Sequence, residues 1–117
     1  MLIQVVDDNR HVRQAIRSIL EELDATIIES VGGEECLRQF VDQRPDVVLM
    51  DIRVQPVDGI STTRELHRCD PNACIVIVSQ YDDADLRLAA ARAGARGYVL
   101  KDDLLQLPET IRALRRM

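Results

Sequence analysis

Four short apolar runs, each followed by a polar or charged residue, constrain the fold of this chain more than any other feature. They occupy residues 3–6, 47–50, 75–78 and 97–100. Runs of this length, bounded by polar residues, are typical of strands that are buried on both faces of a parallel sheet. The residues that follow them are Asp7-Asp8, Asp51, Ser79 and Lys101. Because ligands bind just outside the carboxyl ends of parallel strands, we expect these side chains to converge on one small site.

Strand-like and helix-like segments alternate five times along the chain, and a further short strand is expected at about residues 26–30. Asn9 is a good N-cap for the first helix, and either Asp82 or Asp83 can cap the fourth. Gly94 is suited to end that fourth helix. The alternation predicts an α/β protein with a flavodoxin-like fold, in which a five-stranded parallel sheet of order 2-1-3-4-5 carries helices on both faces. In that order the first and third strands are neighbours.

Length, composition and charge limit the classes of protein to which the chain can belong. With 117 residues, of which 46% are apolar and 30% charged, the chain is expected to form one globular domain over residues 1–117. No apolar run approaches the roughly 20 residues of a membrane helix, and the amino terminus lacks the pattern of a signal peptide. We therefore expect a cytoplasmic protein that does not associate with a membrane. The net charge of −5 argues against direct nucleic acid binding by this segment.

The residues at the strand ends predict a metal-dependent phosphoryl site. Three carboxylates within a few ångström of one another repel, and at least one would hold a proton unless cations were present. Lys101 supplies one positive charge, and an oxygen-only site with open positions suits Mg²⁺. A carboxylate beside Mg²⁺ can attack a phosphoryl group and form an aspartyl phosphate. Each of these residues alone has an ordinary structural explanation, such as a helix cap or a surface lysine, but four matched strand ends favour function.

Five segments of the chain carry the motifs of one family. They are VVDD at 5–8, PDVVLMDI at 45–52, VDG at 57–59, IVIVSQYDD at 75–83 and GARGYVLKDD at 94–103. On these segments the sequence resembles, over its whole length, the receiver domain of two-component response regulators. The last segment most resembles receivers that are attached to helix-turn-helix transcription regulators of the nitrate-regulator and quorum-sensing (LuxR) type. The resemblance implies a phosphoprotein of phosphorelay signal transduction that takes part in transcription regulation.

The resemblance also implies a role for each residue of the site. Asp51 would accept the phosphoryl group from the phosphohistidine of a sensor histidine kinase. Asp8 would bind Mg²⁺ directly and Asp7 largely through water, and the Asp51 carboxylate and the Arg53 carbonyl would complete the protein ligands. Lys101 would pair with Asp51 and then with the phosphoryl oxygens.

A conformational switch follows from the same resemblance. The hydroxyl of Ser79 would move to bond the phosphoryl group, and Tyr98, at the position of the switch aromatic, would turn inward as it moves. Phosphorylation adds about 1.5–2 negative charges and three strong acceptors at one point. Ser79 and Lys101 can follow that charge and so bias a two-state fourth helix and fifth strand.

The chain departs from the family pattern beside the proposed acceptor. The family usually has proline four residues after the phosphorylated aspartate, whereas this chain has Gln55 there and Pro56 one place later. We therefore expect the loop to take a different path. Arg53 and Tyr81 are bulky residues at positions that flank the phosphoryl group. Our hypothesis is that they shield the acyl phosphate from water and slow its hydrolysis.

Two other classes of protein share part of this pattern. An aspartyl-nucleophile phosphatase uses a similar set of residues, but its nucleophile ends the first strand, whereas here the acidic pair comes first and Asp51 later. A stand-alone or degenerate receiver would act by protein–protein contact, yet every reactive residue is present. We expect no enzyme activity beyond the chain's own phosphoryl acceptance and dephosphorylation. The expected partners are a sensor histidine kinase and an output domain, favoured to be DNA-binding, that is absent from this chain; a homodimer stays an open alternative.

Overall fold

A computed structural model describes residues 1–53 and 58–116 of the chain. Within these residues the strands are β1 (Leu2–Val6), β2 (Thr26–Ser30), β3 (Val47–Met50), β4 (Ile75–Ser79) and β5 (Gly97–Leu100). The α-helices are α1 (Arg10–Ile19), α2 (Gly33–Gln43), α3 (Gly59–Cys69), α4 (Ala84–Ala93) and α5 (Leu107–Arg115). Two 3₁₀-helices, Leu20–Leu23 and Lys101–Gln106, follow α1 and β5 in this part of the chain. None of the helices described is long and apolar enough to cross a membrane.

The strands form one parallel sheet of order β2-β1-β3-β4-β5, which confirms the predicted fold. In the register of β1 with β3, Val6 is opposite Met50, so the residues that follow these two strands lie side by side. At the other side of the sheet, Ser79 is opposite Leu100. The sheet order therefore brings the ends of β1, β3, β4 and β5 to one edge.

Alternate residues of the central strands bury opposite faces of the sheet. In β3, Val47 and Leu49 pack in a core layer with residues of α1 and α5, such as Ile16 and Ile111. Val48 and Met50 pack in a second layer with residues of α2, α3 and α4, of which Phe40 is the largest. Burial of such a side chain stabilises the fold by about 1.5–3 kcal/mol. Because both faces are covered, β3 is apolar at every position.

The helix ends follow the expected capping residues. The side chain of Asn9 accepts hydrogen bonds from the backbone N–H groups of His11 and Val12 at the start of α1. Asp83, rather than Asp82, caps α4, and Gly94 ends that helix with a positive φ of 115°. The sequence did not predict the 3₁₀-helix between β5 and α5, which begins at Lys101 itself.

Candidate functional site

A cleft of about 300 Å³ opens at the carboxyl ends of the parallel strands. Its lining combines residues that follow β1, β3, β4 and β5. They are Asp7, Asp8, Asn9, Asp51, Arg53, Gln80, Tyr81 and Lys101. The structure thus brings together the three aspartates and the lysine of the predicted site, along with the two bulky residues that flank them.

The three aspartates form a compact cluster. One carboxylate oxygen from each of Asp7, Asp8 and Asp51 lies within 4.8 Å of the others. Asp7 and Asp51 are buried, whereas Asp8 is exposed. Their placement follows from the sheet, because the backbone N–H of Asp51 donates to the carbonyl of Val6 at 2.9 Å and that of Asp7 to the carbonyl of Ser30 at 3.1 Å. The parallel hydrogen-bonding pattern therefore continues one residue beyond the strands.

Lys101 places its ammonium between two of these carboxylates. Its Nζ lies 2.9 Å from Oδ2 of Asp7 and 3.4 Å from Oδ1 of Asp51. Burial opposes the charge on Lys101, but the hydrogen bond and the charge that the aspartates provide outweigh it and raise the pKa of Lys101. The resemblance implies a pair with Asp51, and here the shorter contact is with Asp7. The ammonium is thus shared by the two buried carboxylates.

Asp51 is in an environment that disfavours its charged form. Burial, and next the negative charge of Asp7, raise the pKa of Asp51, and the nearby Lys101 offsets only part of this effect. One ammonium therefore does not neutralise the negative charge of the carboxylates in the cleft. An additional cation at this point would neutralise more of that charge and favour ionised Asp51.

The donor set fits Mg²⁺. The atoms offered by Asp7, Asp8 and Asp51 are all carboxylate oxygens, the ligand type that this hard cation prefers. Oδ2 of Asp7 is buried and is engaged by the ammonium of Lys101 at 2.9 Å, whereas the exposed carboxylate of Asp8 is open to solvent. The role of the Arg53 carbonyl as a metal ligand stays a prediction. The Gln55-Pro56 segment lies outside the described residues.

Ser79 and Tyr98, the predicted switch residues, both contact the backbone of one residue. Ser79 is buried at the end of β4, and its Oγ accepts a hydrogen bond from the N–H of Tyr81 at 3.0 Å. The hydroxyl of Tyr98 donates to the carbonyl of the same Tyr81 at 2.7 Å. The guanidinium of Arg87 lies 4.5 Å from the ring centre of Tyr98. Within the part of the chain that the structure describes, neither Ser79 nor Tyr98 is among the residues that line the cleft.

Arg53 and Tyr81 stack on each other at the cleft. The Arg53 guanidinium lies 4.6 Å from the centre of the Tyr81 ring, a distance typical of a cation–π contact. The side-chain amide of Gln80 donates to the Tyr81 hydroxyl at 2.9 Å. Sequence reasoning missed Gln80, because a polar residue in a loop after a strand carries no specific signal. It treated Asn9 only as a helix cap, although the N–H of Asn9 also donates to Oδ1 of Asp7 at 2.8 Å.

Gly59, at the start of α3, touches the backbone of Asp51. A Cβ atom at this position would lie 2.0 Å from the carbonyl oxygen of Asp51. The N–H of Gly59 donates to the carbonyl of Ile52 at 2.7 Å. The sequence offered this glycine only as part of a motif, and the close contact explains why a side chain does not fit. The start of α3 therefore supports the predicted acceptor directly.

A family model of the response regulator receiver domain matches residues 3–112. The chain belongs to the response regulator receiver family. This confirms the family that the motifs predicted and agrees with the sheet order 2-1-3-4-5. The match covers both the acidic pair that follows β1 and the lysine that follows β5.

Relatives of this receiver include proteins about twice its length and proteins close to its own length. Response regulator GacA of Pseudomonas aeruginosa is 33% identical in an alignment of 119 positions that covers 98% of this chain and 54% of GacA. Chemotaxis protein CheY of Halobacterium salinarum is 33% identical over 99 residues, which are 85% of this chain and 82% of CheY. A two-component response regulator of the LuxR family from Aurantimonas sp. SI85-9A1 superimposes with a TM-score of 0.91 at 32% identity, over 97% of this chain and 83% of that one. The receiver spans about half the length of GacA, and transcriptional regulators occur among the other relatives.

Proposed function

We propose that this receiver accepts a phosphoryl group on Asp51 from the phosphohistidine of a sensor histidine kinase, in a Mg²⁺-dependent reaction. The observation that carries the proposal is the ammonium of Lys101, which lies 2.9 Å from Asp7 and 3.4 Å from Asp51 in a cleft with three carboxylates. Such an arrangement holds a nucleophile next to groups that stabilise developing negative charge. We propose that this reaction takes place in the cytoplasm.

The reaction transfers one phosphoryl group between two nucleophiles. A carboxylate oxygen of Asp51 forms a bond to phosphorus as the bond between phosphorus and the histidine nitrogen breaks, and the electron pair of that bond returns to the imidazole. Lys101 is placed to move from the carboxylate to the phosphoryl oxygens and stabilise their charge. When bound, Mg²⁺ would be held by Asp7, Asp8, Asp51 and the Arg53 carbonyl and would neutralise further phosphoryl charge.

Phosphorylation would act on the output through Ser79 and Tyr98. Among the described residues, Oγ of Ser79 accepts one hydrogen bond, from Tyr81, and donates none, so its proton is available to a phosphoryl oxygen. Movement of this hydroxyl would release the N–H of Tyr81, whose carbonyl accepts the hydrogen bond from Tyr98. The phosphoryl charge is thereby linked to the face formed by α4 and β5. We propose that this face controls transcription through an attached DNA-binding domain, because several relatives of 30–33% identity are named as transcriptional regulatory proteins.

The lifetime of the acyl phosphate would depend on Arg53 and Tyr81. Their stacked side chains line the cleft beside Asp51 and occupy space through which water would approach. We therefore assign to them a shielding role that slows dephosphorylation. The chain's reactions are its own phosphorylation and dephosphorylation, and no turnover of an external substrate is proposed.

The proposal is tested by incubating the protein with acetyl phosphate and Mg²⁺ and measuring the intact mass. We expect a phosphate adduct on the wild type, no adduct on Asp51→Asn, and loss of the wild-type adduct when a chelator removes the metal. Lys101→Ala should form the adduct much more slowly while still folding. The absence of an adduct from both wild type and Asp51→Asn would favour the alternative of a degenerate receiver that acts by protein–protein contact.

A further inference from the structure

The peptide that joins Asp7 to Asp8 is held by contacts on several sides. The N–H of Asp7 donates to the carbonyl of Ser30 at 3.1 Å, which fixes it to β2. The carbonyl oxygen of Asp7 accepts a hydrogen bond from Nη1 of Arg13 at 2.8 Å. The N–H of Asn9 donates to Oδ1 of Asp7 at 2.8 Å. The backbone at the end of β1 is therefore fixed by groups from both β2 and α1.

Asp8 depends on this backbone for its orientation. Its carboxylate is exposed, and in the part of the chain that the structure describes it makes no hydrogen bond or ion pair. Asp7, in contrast, is held by Lys101 and by the N–H of Asn9. The direction of the Cα–Cβ bond of Asp8 is thus set by the peptide before it, and Arg13 holds the carbonyl of that peptide.

Arg13 is itself held in one geometry. Its Nε lies 2.7 Å from Oε1 of Glu29 on β2, and its side chain is only 13% exposed. The other carboxylate oxygen of Glu29 pairs with Nη2 of Arg17 at 2.6 Å. Hydrogen bonds from Arg17 and then Arg13 lower the pKa of Glu29, so the carboxylate is ionised at neutral pH. The planar guanidinium of Arg13 makes two directed bonds at once, one to Glu29 and one to the Asp7 carbonyl, which a lysine cannot reproduce.

We infer that Arg13, anchored by Glu29, is a positioning residue for the metal-binding carboxylates. It fixes the peptide between Asp7 and Asp8 so that the Asp8 carboxylate faces Asp51, although Arg13 lies outside the cleft. The inference rests on the proposed function and adds to it a residue that no ligand would touch. A partner that orients a metal ligand commonly changes metal affinity by about 10–100-fold when it is removed.

Arg17 provides a matched control on the same helix. It pairs with the same carboxylate of Glu29, but it makes no bond to Asp7. Arg13→Gln and Arg17→Gln each remove one positive charge and an ion pair with Glu29, and only Arg13→Gln removes the bond to the Asp7 carbonyl. Loss of a positive charge near a cation site should by itself strengthen cation binding. Weaker binding therefore reports lost positioning rather than lost charge.

The test is calorimetric titration of the wild type and both variants with Mg²⁺ alone, without a phosphoryl donor, together with thermal unfolding of each protein. We expect Arg13→Gln to bind Mg²⁺ about 10-fold or more weakly than the wild type, and Arg17→Gln to bind it as tightly as the wild type or slightly more tightly. Arg13→Lys, which keeps the charge but cannot form both bonds, should also bind Mg²⁺ more weakly; it provides the same comparison if Arg13→Gln does not fold.

The outcomes separate this inference from the function on which it rests. Equal Mg²⁺ affinity in the wild type, Arg13→Gln and Arg13→Lys would overturn the inference and leave the proposed function intact. Equal losses in Arg13→Gln and Arg17→Gln would also overturn it, because they would trace the effect to Glu29 or to general stability. A wild type that binds no Mg²⁺ would overturn the proposed function itself.

Discussion

Gly59 gives the sharpest test of how the fold supports the acceptor. A Cβ atom added at this position would lie 2.0 Å from the carbonyl oxygen of Asp51 and 2.8 Å from the Cα of Ile52. Both contacts are with backbone atoms, so no side chain can rotate away to relieve them. Gly59→Ala should therefore force the start of α3 away from the end of β3, or displace Asp51 itself.

The size of the effect follows from these distances. Carbon–oxygen contacts below about 3 Å are not tolerated, so the two backbones must separate by roughly 1 Å. Overpacking of a rigid site costs about 1–3 kcal/mol. Alanine regains up to about 1 kcal/mol through its lower backbone entropy in the unfolded chain. We expect a net loss of about 1–2 kcal/mol, which corresponds to a fall in Tm of roughly 4–8 °C for a domain of this size.

The assay combines thermal unfolding with phosphorylation by acetyl phosphate, and Gly97→Ala is the matched control. A Cβ atom at Gly97 would lie 3.5 Å from side-chain atoms of Leu114 and Val76, which is ordinary contact, so Gly97→Ala should leave Tm unchanged or slightly raised. A displacement of about 1 Å at the acceptor would slow phosphorylation roughly 100-fold in Gly59→Ala. If both glycine variants unfold at the same temperature, the steric reasoning is refuted.

Three further predictions follow from the site. Burial and a neighbouring carboxylate raise the pKa of Asp51, so the folded protein holds the Asp51 proton more tightly than the unfolded chain does. The folded state therefore loses stability as the pH rises through the folded pKa of Asp51 and this carboxyl group ionises. Asp51→Asn should therefore raise Tm at about pH 7 without metal, and the gain should shrink toward about pH 4 and on addition of Mg²⁺; a constant gain at all pH values would contradict this. Arg53→Ala and Tyr81→Ala should each speed dephosphorylation of the labelled protein. Because the two side chains stack, the double variant should lose its phosphoryl group little faster than either single variant. Unchanged dephosphorylation rates would refute the shielding hypothesis. Arg87→Ala should remove about 0.5–1 kcal/mol of cation–π stabilisation and increase the mobility of the Tyr98 ring, seen by NMR of its ring protons, while leaving phosphorylation by acetyl phosphate unchanged.

The sheet was predictable because its signal is local and repeated. Each central strand is buried on both faces, so runs such as Val47–Met50 show no polar alternation and stand out from the helices. The strand order required the further rule for alternating α/β chains, and it was enough to place Asp7 beside Asp51. The cap at Asn9 was also readable, because a side-chain oxygen one residue before an amphipathic stretch has a local hydrogen-bonding role.

Contacts that depend on tertiary distance were not predictable in the same way. Lys101 lies nearer to Asp7 than to Asp51, and it begins a 3₁₀-helix that no pattern in the sequence indicated. The hydrogen bond from Arg13 to the Asp7 carbonyl depends on how α1 packs beside β2, which periodicity alone does not specify. In the sequence Arg13 is one of several charged residues on an amphipathic helix, with no feature that sets it apart from Arg17.

Tyr81 contributes to the proposed switch through its backbone and to the proposed phosphoryl lifetime through its side chain. Its backbone links Ser79 to Tyr98, since the N–H donates to one and the carbonyl accepts from the other. Its side chain stacks on Arg53 at the cleft. Under the shielding role proposed above, substitution would remove the ring but keep both backbone groups, so it would change the lifetime of the phosphoryl group and leave the link between Ser79 and Tyr98 in place. A receiver of this kind would adjust how long a signal lasts without altering the proposed path of the signal to α4 and β5.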